Sequence, residues 1–238
     1  MDQGKDRRED RILATPKAAN RVGVALQGMK EEKVFIPCDG LTLEGLLSVQ
    51  EALPVRGGVV LCHPHPLYGG EMDNPVVTAA AEAAVEEGFQ TLRFNFRGVG
   101  KSEGAHVDGV GEKEDVRAAI EFLSTKVDGP SLILVGYSFG ARVGLPVAME
   151  DARVKGMVAI APPLEMYDFD FLKGSKKNKL VIVGNRDLYC PMGRLKELYQ
   201  HIEEPKALTV IQGADHFFSY HVGSLIPPLR EFFRRSLT

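Results

Sequence analysis

Residues 132–150 read LILVGYSFGARVGLPVAME. Leu132 to Val135 are four apolar residues in a row, the mark of a strand buried on both faces. Gly136-Tyr137-Ser138-Phe139-Gly140 follows at once, and a helical run over 141–150 comes directly after it. A serine in G-x-S-x-G at a sharp strand-to-helix turn is presented at the top of a sheet. The glycines let the neighbouring helix and strand pass closely, and N–H groups at the helix start face developing negative charge. The same letters also describe a helix that starts with a serine cap. The strand before and the helix after favour an exposed nucleophile, Ser138. Pro146 falls inside the run and predicts a kink there.

Outward from this turn, short apolar runs alternate with helical patterns. Strands are expected over 33–37, 41–49, 58–62, 91–96, 132–135, 156–161, 179–183 and 207–211. Helices are expected over 76–87, 112–126, 141–150, 192–202 and 224–235. Asp39-Gly40 joins the first two strands as a hairpin and implies an antiparallel strand at one sheet edge. Gly129-Pro130 follows the second helical run as a stop signal. Val-, Ile- and Leu-rich strands without alternation, interleaved with helices, give a three-layer α/β architecture around a mostly parallel sheet of about eight strands. Residues 1–30 are charged and weakly periodic and are expected to form a tail, with one domain over 31–238.

A serine hydroxyl needs a base, and the base needs a group to orient it. Among six histidines, His216 lies in a loop just after the last strand, at the edge where α/β sites form. His221 is a nearby alternative, and His201 sits at the end of a helix. Asp187, in Gly184-Asn185-Arg186-Asp187, follows the seventh strand and supplies the order Ser…Asp…His. Asp168 and Asp170 follow no strand. Asp215 is too close in sequence to His216 to align with its ring. Asp187 also fits an ordinary turn or cap residue.

Acyl transfer needs two donors for an oxyanion. The N–H of Phe139 is one. The other is expected from His63-Pro64-His65-Pro66-Leu67-Tyr68-Gly69-Gly70, where prolines lack an N–H and leave His65 best placed. Two histidines at i, i+2 also suit a metal, but no cluster of ligands completes such a site. The Gly100-Lys101-Ser102 triplet resembles a phosphate loop, but Asn95 stands where that loop requires glycine. Only residues 162–178 separate the sixth strand from the seventh, so any lid is minimal. The site is then open and suited to small or short-chain substrates. Tyr68, Phe139, Met166, Tyr189 and Phe217 are candidate pocket lining, or equally packing of core and rim.

The chain has 238 residues, a formal net charge of -3, 44% hydrophobic and 26% charged residues. This balance gives no footprint for nucleic acid or an anionic membrane surface. The four lysines between Lys173 and Lys179 fit a solvated loop. No run reaches the ~20 apolar residues of a membrane span. Cys38, Cys62 and Cys190 are too few, and odd in number, for a disulfide framework. With no apolar leader behind the charged start, the expectation is a cytoplasmic protein.

HPHPLYGG (63–70), RFNFRGVGKSEG (93–104), GYSFG (136–140), GNRD (184–187) and GADHFF (213–218) occur in an order that resembles the α/β-hydrolase superfamily. The chain is similar to small bacterial serine hydrolases related to dienelactone hydrolases and short esterases, over residues about 30–238. The resemblance implies Ser138, Asp187 and His216 as a triad, with His65 and Phe139 as backbone donors. Pro64 departs from the glycine frequent in that loop. The triad leads us to expect a small-molecule ester substrate, with no cofactor and no metal; the resemblance does not carry the substrate over. It leaves substrate identity, ester against thioester or amide, and any homo-oligomer open.

Overall fold

The computed structural model describes residues 28–127 and 131–236. The expected tail up to residue 27 and the Gly129-Pro130 stop signal lie outside them. Eight strands and five α-helices follow in the order β1 (Met29–Cys38), β2 (Leu41–Gln50), β3 (Gly58–Cys62), α1 (Pro75–Glu86), β4 (Gln90–Phe94), α2 (Gly111–Ser124), β5 (Leu132–Tyr137), α3 (Phe139–Glu150), β6 (Val154–Ile160), β7 (Asn178–Gly184), α4 (Met192–His201), β8 (Lys206–Ile211) and α5 (Ile226–Arg235).

One sheet runs β1-β2-β4-β3-β5-β6-β7-β8. β2 is antiparallel to both β1 and β4, and every other pairing is parallel. The opposed strand is therefore β2, one place in from the edge, and β1 resumes the common direction. Asp39 and Gly40 turn the hairpin with φ of 45° and 77°, the positive pair that matches strand twist. β1 starts at Met29, earlier than expected. Its early residues are charged and exposed, and only Val34, Ile36 and Cys38 face the core.

The interior strands show why their sequences lack alternation. In β3, Val59 and Leu61 face one core and Val60 and Cys62 the other. β5 divides in the same way, with Ile133, Val135 and Tyr137 opposite Leu132 and Leu134. Helices α1 and α5 cover the first core and α2, α3 and α4 the second. Each such side chain removed from water contributes about 1.5–3 kcal/mol. α3 continues through Pro146 to Glu150. The β6–β7 connection holds a single 3-10 turn, Asp170–Gly174. Among the described residues no helix is long and apolar enough to cross a membrane.

The chain passes from β3 to β4 on one side, then returns to lay β5 on the other side of β3. This reversal opens a crevice at the C-terminal strand ends, the place where α/β sheets receive ligands.

Candidate active site

Ser138 stands at that crevice with φ 53° and ψ −115°. A non-glycine residue held there costs on the order of 1–3 kcal/mol and persists only where its surroundings impose it. Its N–H donates to the Ile160 carbonyl of β6 at 2.9 Å, and its carbonyl accepts from Ala141 N–H at 3.0 Å. The residue is thus gripped by sheet and helix at once. Both flanking glycines are required by space. A Cβ on Gly136 would lie 2.5 Å from Ala141 Cα, and one on Gly140 would lie 2.2 Å from the Cys62 carbonyl oxygen.

His216 Nε2 lies 2.9 Å from Ser138 Oγ. Its Nδ1 lies 3.0 Å and 2.9 Å from the two carboxylate oxygens of Asp187. A carboxylate can only accept, so Nδ1 carries the hydrogen and Nε2 is free to accept from the serine. The Asp187 carboxylate is fully buried, and its Oδ1 accepts from Tyr189 and Cys190 N–H at 2.8 Å and 3.0 Å. The loop bearing His216 is pressed onto the end of β7. Arg186 N–H donates to the Ala214 carbonyl at 2.9 Å, and a Cβ on Gly184 would lie 2.2 Å from that same oxygen. Tyr137 Oη, buried beside the nucleophile, donates to the His216 carbonyl at 3.1 Å. Nothing in the sequence points to this tether, which joins positions 79 apart.

The other histidines and acids have local partners. His221 Nδ1 bonds the Ser219 carbonyl and His201 Nδ1 the Glu197 carbonyl. Asp168 accepts from Asp170 N–H and Asp215 from Ser219 N–H. His63 is fully buried. Its Nε2 accepts from Phe96 N–H at 3.0 Å and its Nδ1 donates to the Pro64 carbonyl at 2.6 Å. Both ring nitrogens are therefore occupied by main chain. Burial pushes its pKa down to about 4. Burial also pushes the Cys62 and Cys190 thiols up, which makes them inert at neutral pH.

Phe139 and His65 lie side by side, with ring centroids 4.8 Å apart. His65 also packs on Tyr68 at 4.7 Å and on His106 at 4.9 Å. Burial, then the nearby His106, lowers the His65 pKa. His106 Nδ1 approaches the buried Glu112 carboxylate at 2.6 Å. Glu112 also accepts from Val107 and Gly109 N–H, so it anchors the loop that borders His65. In the sequence Glu112 reads only as the start of a helix. Tyr189 and Phe217 flank His216, with centroids at 4.7 Å and 5.4 Å. Met166 lines a separate cleft of about 470 Å³ between the β6–β7 connection and α4, and no triad residue lines it.

The glycine-rich loop after β4 is tied down to helix α2 and strand β2. Asp115 holds Arg97 through its N, Nε and Nη2, and Glu44 accepts from Asn95 Nδ2 and Lys101 N–H.

A strained serine at a strand-to-helix turn, with a histidine and a buried aspartate from two later strand ends, is the arrangement of a serine hydrolase. The chain belongs to the α/β-hydrolase fold family, whose model matches residues 59–179. It is 35% identical to an alpha-beta serine hydrolase homologue from Coxiella burnetii, covering 87% of this chain and 97% of that one with a TM-score of 0.78. It is 29% identical to an a/b serine hydrolase without lid from Xanthomonas campestris, covering 92% and 98% with a TM-score of 0.78. A thiohydrolase of Arthrinium phaeospermum is 32% identical over 165 residues, 67% of this chain and 51% of that protein. The chain thus spans about half of that relative.

Proposed function

We propose that the protein hydrolyses small or short-chain carboxylic esters through an acyl-enzyme on Ser138. The observation that carries this is the Ser138–His216–Asp187 chain of contacts at 2.9–3.0 Å. Ser138 Oγ attacks the ester carbonyl carbon while His216 Nε2 takes its proton. Asp187 fixes the tautomer and stabilises the imidazolium. The N–H groups of Phe139 and His65 hold the tetrahedral oxyanion, each worth roughly 10²–10³ in rate. Collapse breaks the bond to the alcohol oxygen, which receives the proton from His216. Water then attacks the acyl-enzyme by the same roles, releasing the acid and restoring Ser138. No cofactor enters this scheme.

The short β6–β7 connection supports an open site. A second reading, hydrolysis of a thioester by the same residues, draws on the thiohydrolase relative. The test is labelling by a fluorophosphonate probe, wild type against Ser138→Ala, followed by a panel of acetyl and butyryl esters and thioesters. Labelling and turnover that vanish in the variant are expected. A folded wild type that neither labels nor turns over any of them defeats the proposal.

A further inference from the structure

We infer that Tyr189 and Phe217 form a leaving-group subsite that selects esters of aromatic alcohols; this rests on the serine-hydrolase reading above. His216 receives the Ser138 proton on Nε2 and must hand it to the departing alcohol oxygen. The alcohol half of the ester therefore lies against the His216 ring, on the side away from the oxyanion donors. Two aromatic rings border the His216 ring. Tyr189 packs on His216 at 4.7 Å with a 56° tilt, and Phe217 meets it edge-on at 5.4 Å and 90°.

Their exposure separates them from packing elsewhere in the site. Tyr189 is 41% and Phe217 63% exposed, while His216 between them is 7% exposed and Phe139 on the oxyanion side 1%. The rings cover the histidine and still present free aromatic surface outward from it. Their backbones are fixed. Tyr189 N–H donates to Asp187 Oδ1 and its carbonyl accepts from Glu165 N–H at 2.9 Å. Phe217 is held between His216 and the buried Phe218, whose φ is 53°. Leu188 and Tyr220, close to these residues in sequence, are also exposed and uncharged. A planar apolar alcohol stacks on such rings with gains beyond simple area burial, whereas ethanol reaches too little of them to benefit.

The experiment compares kcat/KM for benzyl, cyclohexylmethyl and ethyl acetates, which share one acyl group and have leaving alcohols of similar acidity. Wild type is expected to favour benzyl over both others. Tyr189→Leu and Phe217→Leu are each expected to lower the benzyl-to-ethyl ratio about ten-fold, mainly through KM. Labelling of Ser138 by the fluorophosphonate reports whether the triad is assembled in each variant. A wild-type ratio near one, or variants in which benzyl and ethyl acetate fall together, overturns the subsite and leaves the hydrolase reading intact. Failure of wild type on all three acetates and on the probe defeats the hydrolase reading itself.

Discussion

His63 stands just past the end of β3 and His216 in the loop after β8, both at the C-terminal edge of the sheet and both buried. Each has both ring nitrogens engaged. The partners of His63 are a main-chain N–H and a main-chain carbonyl, and those of His216 are a hydroxyl and a carboxylate. His63 is therefore a neutral clamp between the ends of β3 and β4, because protonating Nε2 would break its bond to Phe96. Under the proposed mechanism His216 takes a proton, and Asp187 stands opposite to balance the charge. Burial alone distinguishes nothing between them; the chemistry lies in what each nitrogen faces.

The sharpest way to break this contrast is Asp187→Asn. It keeps the shape but lets the amide donate to Nδ1, which favours the wrong tautomer. A fall in kcat of about 10⁴ is expected, with little change in melting temperature. A fall of less than ten-fold would mean that His216 does not depend on its carboxylate.

The contrast is sharpened next by pH. The folded pKa of His63 is about 4 against an ordinary 6.5, so the unfolded chain binds more protons between those values. Stability from this group is complete above about pH 6.5 and is lost as pH falls through the window. Roughly 2 kcal/mol should go between pH 7 and pH 5, read from urea midpoints. His63→Gln should be less stable at pH 7 yet lose about 2 kcal/mol less on acidification. Equal losses in the two proteins would refute the clamp.

The smallest expected effect belongs to Tyr137→Phe, which removes the hydroxyl bonded to the His216 carbonyl. It should cost about 1 kcal/mol of stability and lower kcat by less than ten-fold, with KM unchanged. A loss as large as that of Asp187→Asn would give Tyr137 a part in the chemistry instead of in the placement of the loop.

The meeting of Ser138, Asp187 and His216 was legible because each follows a strand, and parallel strands bring their C-terminal ends to one edge. The interior strands were legible because residues buried on both faces must all be apolar. What escaped were contacts that no local pattern encodes. Tyr137 with the His216 carbonyl, and Asp115 with Arg97 and Cys38, join distant positions through tertiary folding. The first residues of β1 escaped because an edge strand can expose Lys30, Glu31 and Glu32 to water. The kink expected at Pro146 marks a lost N–H donor, and α3 nevertheless runs on to Glu150. The glycines around the Gly100-Lys101-Ser102 triplet serve turns, with Gly98, Gly100 and Gly104 all at positive φ, in keeping with a connection rather than a phosphate loop.

The residues of β6 and α3 that grip Ser138 are all synthesised before its histidine in a growing chain. His216 lies 56 positions after Ile160, the β6 partner of Ser138, which at ordinary translation speeds is roughly 3–11 s of synthesis. During that interval a nascent chain would carry a strained serine with no base beside it, on a sheet still lacking its last strands. Under the proposed mechanism such a chain is chemically silent. Acylating power would then arrive only when β8 has docked at the sheet edge, so turnover itself reports that synthesis and folding have reached that edge.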